Sequence, residues 1–119
     1  MLSYSSLIRV FISIQPTDMR KSFEGLCGCV QQQLGQDPLS GHAFVFFNRR
    51  RTMVKLLVWQ RGGFCIFAKK LAEGRFMLRA EETSGETDMA ELLLILEGID
   101  LSGSRRRKRF DLRQEERKK

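Results

Sequence analysis

Residues 43–70 read AFVFFNRRRTMVKLLVWQRGGFCIFAKK, which is three apolar runs separated by two short polar connections. The even positions from Val54 to Val58 are apolar and the odd ones mixed, which is the period of a half-buried strand. The glycines at 62 and 63 predict a hairpin turn. A further turn at 71–74 leads to a short run at Arg75–Arg79. The stretch therefore predicts a four-stranded antiparallel meander.

Outward from this meander, the flanking segments predict one strand and two helices. Leu7–Ile14 alternates like a strand, and apolar residues of Asp18–Leu34 recur at helical spacing after Thr17 or Asp18 as the cap. A second helix is predicted over Asp88–Glu97, with Thr87 as a possible cap, Gly98 as its stop and a stripe of Met89, Leu92, Leu93 and Leu96.

The fold class predicted from these elements is α+β, in the order strand, helix, four-stranded antiparallel meander, helix. Residues 7–101 form a single domain in this interpretation, since 119 residues suit one core. Residues 102–119 begin with Ser-Gly-Ser, contain few apolar residues, and are predicted to be a basic, disordered tail.

Charge is sorted into blocks along the chain. Residues 49–79 carry nine basic groups against one acid, 81–100 carry seven acids and no base, and 103–119 carry nine bases against three acids. Separated blocks create fields that select partners, and a basic field most often meets phosphate. The pI near 9.8 indicates nucleic acid as a binding partner, while the absence of a long apolar run argues against a membrane partner.

Residues suited to catalysis are scarce. The only histidine, His42, is interpreted as a structural or surface residue, and Cys27, Cys29 and Cys65 as core residues and a spare thiol. An odd number of cysteines fits a reducing cytoplasm. We therefore expect no enzyme activity, no catalytic residue, no cofactor and no metal. A nuclease using Asp18, Glu24 or Asp37 remains the weakest alternative.

The predicted nucleic-acid contacts are basic residues of the meander and the tail. Arginine forks bind phosphate oxygens through two hydrogen bonds, and aromatic rings can stack on bases. Trp59 shares a strand face with Lys55, and the sequence leaves open whether it stacks on bases or packs in the core; Phe44 and Phe46 are expected in the core. The predicted contacts are Arg49, Arg50, Arg51, Lys55, Lys69, Lys70, Arg75, Arg105, Arg106, Arg107, Lys108 and Arg109.

Two alternatives for the charged blocks stay open. The tail could bind DNA, an acidic partner or the chain's own acidic helix. That helix could instead dock a protein, with Glu91 and Glu97 as its partner-binding residues.

Several short motifs, in order, resemble one bacterial family. They are Asp18–Leu26 (DMRKSFEGL), Asp37–Gly41 (DPLSG) followed by Phe44–Phe46 and Asn48–Arg50, then Lys69–Leu71, Gly74–Phe76 and Leu96–Asp100 (LEGID). In these residues the chain resembles the TnpB-type accessory proteins encoded by the second open reading frame of insertion sequences of the sixty-six family, over about residues 7–101.

The resemblance implies a role in transposition beside a separate, larger transposase and other proteins of the element. It implies no enzymatic activity and transfers no catalytic residues. Together with the basic charge, it predicts an accessory protein of the bacterial cytoplasm that binds DNA at the element ends, near the nucleoid. The alternative is a protein–protein adaptor that docks the transposase through the acidic helix.

Overall fold

The computed structural model describes residues 8–78 and 85–102, which form seven strands and two helices. The strands are β1 (Arg9–Ile12), β2 (Ala43–Phe47), β3 (Met53–Gln60), β4 (Gly63–Lys70), β5 (Arg75–Phe76), β6 (Glu86–Asp88) and β7 (Ile99–Asp100). The helices are α1 (Phe23–Gln33) and α2 (Met89–Glu97). Five strands form one mixed sheet in the order β4-β3-β2-β1-β6, and β5 pairs with β7 in a small second sheet. The α+β class is thus confirmed.

The central strand β2 is buried along its whole length because both faces of the sheet are covered. Phe44 and Phe46 pack with Leu26 and Val30 of α1 on one face, as expected for core aromatics. On the other face, side chains of β1, β2 and β3 pack against Met89, Leu92 and Ile95 of α2. The alternation of side chains along each strand thus builds two apolar layers, one per helix.

The first strand pairs within the sheet in a way that the sequence left open. β1 lies parallel to β2, with Val10 opposite Ala43, and α1 is the crossover between them. On its other side β1 pairs antiparallel with β6, so that Arg9 faces Asp88. The sheet is therefore mixed, with the meander on one side of a parallel pair.

The predicted four-stranded meander is wrong in its last strand. β2, β3 and β4 form the expected hairpins, but β5 leaves the sheet and pairs with β7. After β4 the chain crosses the end of the sheet, where the amide of Leu71 donates to Thr52 O and that of Phe76 to Arg51 O. Phe76 is 1% exposed, and the centroid of its ring lies 5.6 Å from the centroid of the Phe47 ring. Burial of this ring stabilises the fold by about 1.5–3 kcal/mol. It therefore favours the observed path of β5 across the end of the sheet over a path in which β5 pairs with the outer edge of β4.

Helix α1 begins five residues later than the sequence predicts. Asp18 caps a separate turn instead, because its Oδ1 accepts from the amide of Arg20 and its carbonyl accepts from the amide of Lys21. Ser22 then has a non-helical backbone (φ −120°, ψ −146°) and directly precedes the helix. The other end agrees with the sequence: Gly35 has a φ of 61°, the left-handed geometry that ends helices.

Helix α2 starts and stops close to the predicted residues, but the side of the helix that is buried differs from the predicted apolar stripe. Asp88 rather than Thr87 is the N-cap, since its Oδ1 accepts from the amide of Glu91 at 2.8 Å. Ile95 is buried, whereas Leu93, which the predicted stripe includes, is 44% exposed. The densely apolar sequence of this helix fits several stripes, and packing against β1, β2 and β3 buries the one formed by Met89, Leu92 and Ile95.

Candidate nucleic-acid interface

The arginine loop between β2 and β3 is organised by Asn48. Its Oδ1 accepts from the amides of Thr52 and Met53 at 2.9 and 3.0 Å, and its Nδ2 donates to Thr52 Oγ1. The amide of Arg51 donates to Asn48 O, and Arg51 itself has a φ of 57°. This closed turn holds the backbone of the loop, so that Arg49 and Arg50 are exposed at one end of the sheet.

A cleft of about 410 Å³ brings this loop together with β5 and β7. Four of the predicted contacts line it, alongside Asp100 and an apolar wall. Its lining consists of Arg49, Arg50, Arg51, Arg75, Phe76, Met77, Leu78 and Asp100. Because four arginines and a single aspartate line it, the cleft favours an anion, and the planar guanidinium forks suit the oxygens of a phosphate group.

Arg75 reaches the cleft through the small sheet rather than through the meander. Its Nε lies 3.7 Å from Asp100 Oδ2, across the β5–β7 pair. A side-chain hydrogen bond from Ser102, its backbone hydrogen bond and then the charge of Arg75 lower the pKa of Asp100, so this carboxylate stays ionised. Asp100 thereby orients Arg75 at the edge of the cleft.

The three predicted lysines of the sheet do not share one surface. Lys55 lies on the α1 face, where its Nζ donates to Lys21 O at 2.7 Å. Lys69 lies on the α2 face, and its Nζ donates to Leu96 O at 3.2 Å. Lys70 is exposed and pairs with Met53, which places it at the same end of the sheet as the arginine loop. We define the Arg cluster as Arg49, Arg50, Arg51 and Arg75 and treat Lys70 as its neighbour.

The tail residues predicted to bind nucleic acid cannot be placed against this cleft. They lie outside the described residues, and their role remains a prediction from sequence. They are Arg105, Arg106, Arg107, Lys108 and Arg109.

Trp59 packs within the protein. It is half-buried, and its ring meets that of Phe64 edge to face, with centroids 4.9 Å apart and planes at 69°. Phe67, which is 43% exposed, lies on the opposite face of β4. The aromatic residues of β3 and β4 thus do not form one stacking surface for bases.

Glu91 and Glu97, the predicted partner-binding residues, flank an exposed leucine on α2. Positions 91, 94 and 97 share the outward side of this helix, since three residues span 300° of rotation. Leu94 is 62% exposed at the centre of this side, and Leu93 lies beside it. The outward side of α2 is therefore apolar as well as acidic.

Local structural contacts engage three residues that were considered for catalysis, His42, Asp18 and Asp37. His42 Nδ1 accepts from the amide of Arg9 at 2.9 Å, which links β1 to the start of β2. The hydrogen bonds of Arg20 lower the pKa of Asp18 to about 2, and Asp37 accepts from the amide of Leu39. Among residues 8–78 and 85–102, no group of three potential metal ligands converges, and neither helix is long and apolar enough to cross a bilayer.

Sequence reasoning missed two residues of the cleft region, Asn48 and Asp100. An asparagine between a strand and a polar run is a recognised turn former, so its role could have been read from the sequence. No local signal pointed to Asp100, because it meets Arg75 only through the pairing of β5 with β7.

Comparison with known proteins places the chain among sequences from insertion elements. A family model described as "IS66 Orf2 like protein" matches residues 8–106. The protein y4hO of Sinorhizobium fredii is 38% identical over 102 residues, which cover 84% of this chain and 88% of that protein. The protein y4jC of the same organism is 28% identical over 109 residues, covering 90% and 92% respectively. No solved structure matches the chain.

Proposed function

Because the chain belongs to the IS66 Orf2-like family of insertion-sequence accessory proteins, we propose that it assists transposition without catalysis by binding DNA. In this proposal the Arg cluster contacts backbone phosphates near the element ends, beside a separate transposase in the bacterial cytoplasm and nucleoid. The observation that carries it is the convergence of Arg49, Arg50, Arg51 and Arg75 on one cleft.

The mode of binding follows from the chemistry of the cleft. Guanidinium groups that contact phosphates position a protein on a duplex and read no sequence by themselves. The cleft's remaining wall is apolar, formed by Phe76, Met77 and Leu78. We therefore expect affinity for DNA in general. The tail adds further cations to the same electrostatic attraction.

Salt dependence gives the first measurement. If the Arg cluster and Lys70 neutralise about five phosphates, log K falls with log salt at a slope of roughly −4 to −5. Fluorescence anisotropy of a labelled duplex carrying an element end, titrated at several salt concentrations, measures this slope. A flat salt dependence, or no binding to this duplex, would overturn the proposal.

The matched variants are R49A/R50A and R61N. Arg61 lies at the turn between β3 and β4, at the opposite end of the sheet, and its φ of 49° is one that asparagine adopts readily. R49A/R50A removes two cations from the cleft, so we expect weaker binding and a slope smaller by about 2. R61N removes one cation elsewhere and should leave both quantities nearly unchanged. An R61N effect half as large as that of R49A/R50A, in proportion to the one charge removed against two, would mean that net charge alone drives binding.

A second candidate function is that of an adaptor that docks the transposase through α2. The observation favouring it is Leu94, exposed between Glu91 and Glu97 on the outward side of the helix. Such a surface suits a partner segment that combines apolar and basic residues.

Co-purification with the transposase of the same element tests this candidate. The triple change E91K/L94S/E97K should abolish capture of the transposase, while affinity for DNA stays unchanged or rises because negative charge is removed. Q31K/Q32K, on the exposed side of α1, is the control that adds charge away from α2. Retained capture in the triple variant, with both variants folded, would rule the adaptor out.

A further inference from the structure

Strand β4 is one of the two edge strands of the five-stranded sheet. Its inner edge pairs with β3 over all eight residues, from Gly63 opposite Gln60 to Lys70 opposite Met53. No strand among the described residues pairs with its outer edge. An unpaired edge of this kind presents a row of amides and carbonyls that can pair with another strand.

The hairpin turn fixes which backbone groups point outward. Arg61 and Gly62 both have positive φ, 49° and 83°, so the loop is a two-residue turn closed by Gln60 and Gly63. In such a hairpin the closing pair is hydrogen-bonded, and hydrogen-bonded and non-bonded pairs then alternate. The amides and carbonyls of Phe64, Ile66 and Ala68 therefore point away from β3.

The usual protections of an edge strand are absent along most of β4. The register with β3 runs without a bulge, the strand has no proline, and its charges are confined to Lys69 and Lys70 at one end. The other residues after Gly63 are Phe64, Cys65, Ile66, Phe67 and Ala68. Cys65 and Phe67 are both exposed on the α2 face of the strand.

We infer that the outer edge of β4 binds β4 of a second copy, antiparallel and with the two-fold axis at Ile66. Outward-pointing residues must meet each other, so Ile66 faces Ile66 and Phe64 faces Ala68, giving about six backbone hydrogen bonds. On the other side of the strand Cys65 faces Phe67. Every apolar side chain of the edge then meets an apolar partner, and Lys69 meets Gly63.

Charge selects this arrangement over its neighbours. A parallel pairing would set the lysine ends of the two strands side by side, and like charges directly opposite are destabilising. Moving the axis to Cys65 would place Lys69 opposite Arg61 of the other copy. Moving it to Phe67 would place the charged Lys69 and Lys70 opposite the apolar Cys65 and Phe64.

The interface is small, because it consists of one strand edge and the side chains of Cys65 and Phe67. We therefore expect a dimer whose population depends on protein concentration. In this dimer the two sheets join into one continuous sheet of ten strands. Because β4 pairs antiparallel with its copy, the two Arg clusters lie at opposite ends of the strands. The inference does not rest on DNA binding, since the free protein forms this contact.

Disulfide trapping tests the register. Cys65 and position 67 of the second copy form a non-hydrogen-bonded pair, whose Cα atoms lie about 4.5 Å apart, within reach of a disulfide. Oxidised F67C should therefore give a covalent dimer, reversible by reductant, on non-reducing gels. The wild type should cross-link far less, since its two Cys65 residues are offset by two positions along the strands.

The matched control keeps both thiols but blocks the edge. F67C/A68P removes an outward amide that β3 does not use, so the cross-linked fraction should fall severalfold, while F67C/A68S should retain it. Sedimentation equilibrium of the wild type and of A68P, each checked for folding by circular dichroism, gives the dimer population without cross-linking. A wild-type protein that stays monomeric at high micromolar concentration, or an A68P dimer as strong as the wild type, would overturn the inference.

Discussion

Lys69 Nζ donates to the carbonyl oxygen of Leu96 at 3.2 Å, which ties the end of β4 to the last turn of α2. The last carbonyls of a helix have no partner within it, and the negative end of the helix dipole attracts a cation. A residue predicted to bind DNA thus has a structural role. Lys70, its neighbour in sequence, is exposed at the end that carries the Arg cluster.

K69M and K70M should therefore separate stability from DNA binding. K69M leaves the Leu96 carbonyl without its cation, so we expect the free energy of unfolding to fall by about 0.5–1 kcal/mol with DNA affinity little changed. K70M should lower DNA affinity and leave stability unaltered. Urea unfolding and anisotropy titrations of both variants measure the two effects. The opposite assignment would contradict the placement of these lysines.

Phe46 and Phe67 provide a contrast between a central and an edge aromatic. Phe46 is fully buried in β2, whereas Phe67 is 43% exposed on β4. F46A should lower the free energy of unfolding by about 3–5 kcal/mol, while F67A should lower it by less than about 1 kcal/mol. Chemical denaturation monitored by circular dichroism checks both values. Similar losses would mean that β2 is not the centre of the core.

Gly74 has a positive φ of 77° and no space for a side chain. A Cβ there would lie 2.8 Å from Asp100 O and 2.7 Å from a methyl group of Ile99, so G74A should separate β5 from β7. Because Arg75 follows directly, we expect both a lower melting temperature and weaker DNA binding.

Gly62 supplies the control for this change. Its φ is 83°, but no atom lies within 4 Å of a Cβ added there, so G62A incurs the backbone strain alone. A melting temperature of G74A equal to that of G62A would show that the close approach of β7 has no energetic effect.

Acid should weaken the link between β1 and β6 through Glu86. Hydrogen bonds from Arg9 at 2.7 and 2.8 Å lower the pKa of Glu86 below its value in the unfolded chain. A carboxylate with a depressed pKa stabilises the fold above its unfolded pKa, and this contribution disappears as pH falls through the folded value. The wild type should therefore melt higher than E86Q at neutral pH, and the difference should vanish in acid.

Melting temperatures of the two proteins between pH 7 and about 2 measure this difference, since the titration of a depressed carboxylate lies in that range. E97Q, which changes the same charge on the exposed end of α2, is the control. A gap between wild type and E86Q that persists at the lowest pH would show that the Arg9–Glu86 pair is not its source.

The parts of the fold that sequence predicted are those decided by local pattern. β3 follows from alternating apolar residues, its turn to β4 from a glycine at positive φ, and α2 from its helical apolar spacing and the glycine at its end. The parts that it missed depend on distant residues. Phe76 leaves the meander because Phe47 offers a buried contact 29 positions earlier in the chain, which no local window contains.

The candidate site was likewise predictable only where its residues are close together in sequence. Three of the four arginines of the Arg cluster are consecutive in sequence, so one loop necessarily holds them together. Arg75 joins them through tertiary structure. Lys55 and Lys69 lie on opposite faces of the sheet, and their ammonium groups donate to Lys21 O and Leu96 O instead. A count of cations in a segment therefore overestimates how many share a surface.

The pairing of β1 with β6 also constrains when the protein can fold. Residues 9–11 lie at the start of the described chain, and their antiparallel partners are residues 86–88. During synthesis the first strand leaves the ribosome long before its neighbour exists. The five-stranded sheet is therefore complete only when nearly the whole domain has been translated. A nascent chain released before residue 88 lacks both β6 and helix α2, whose buried side chains cover one face of the sheet.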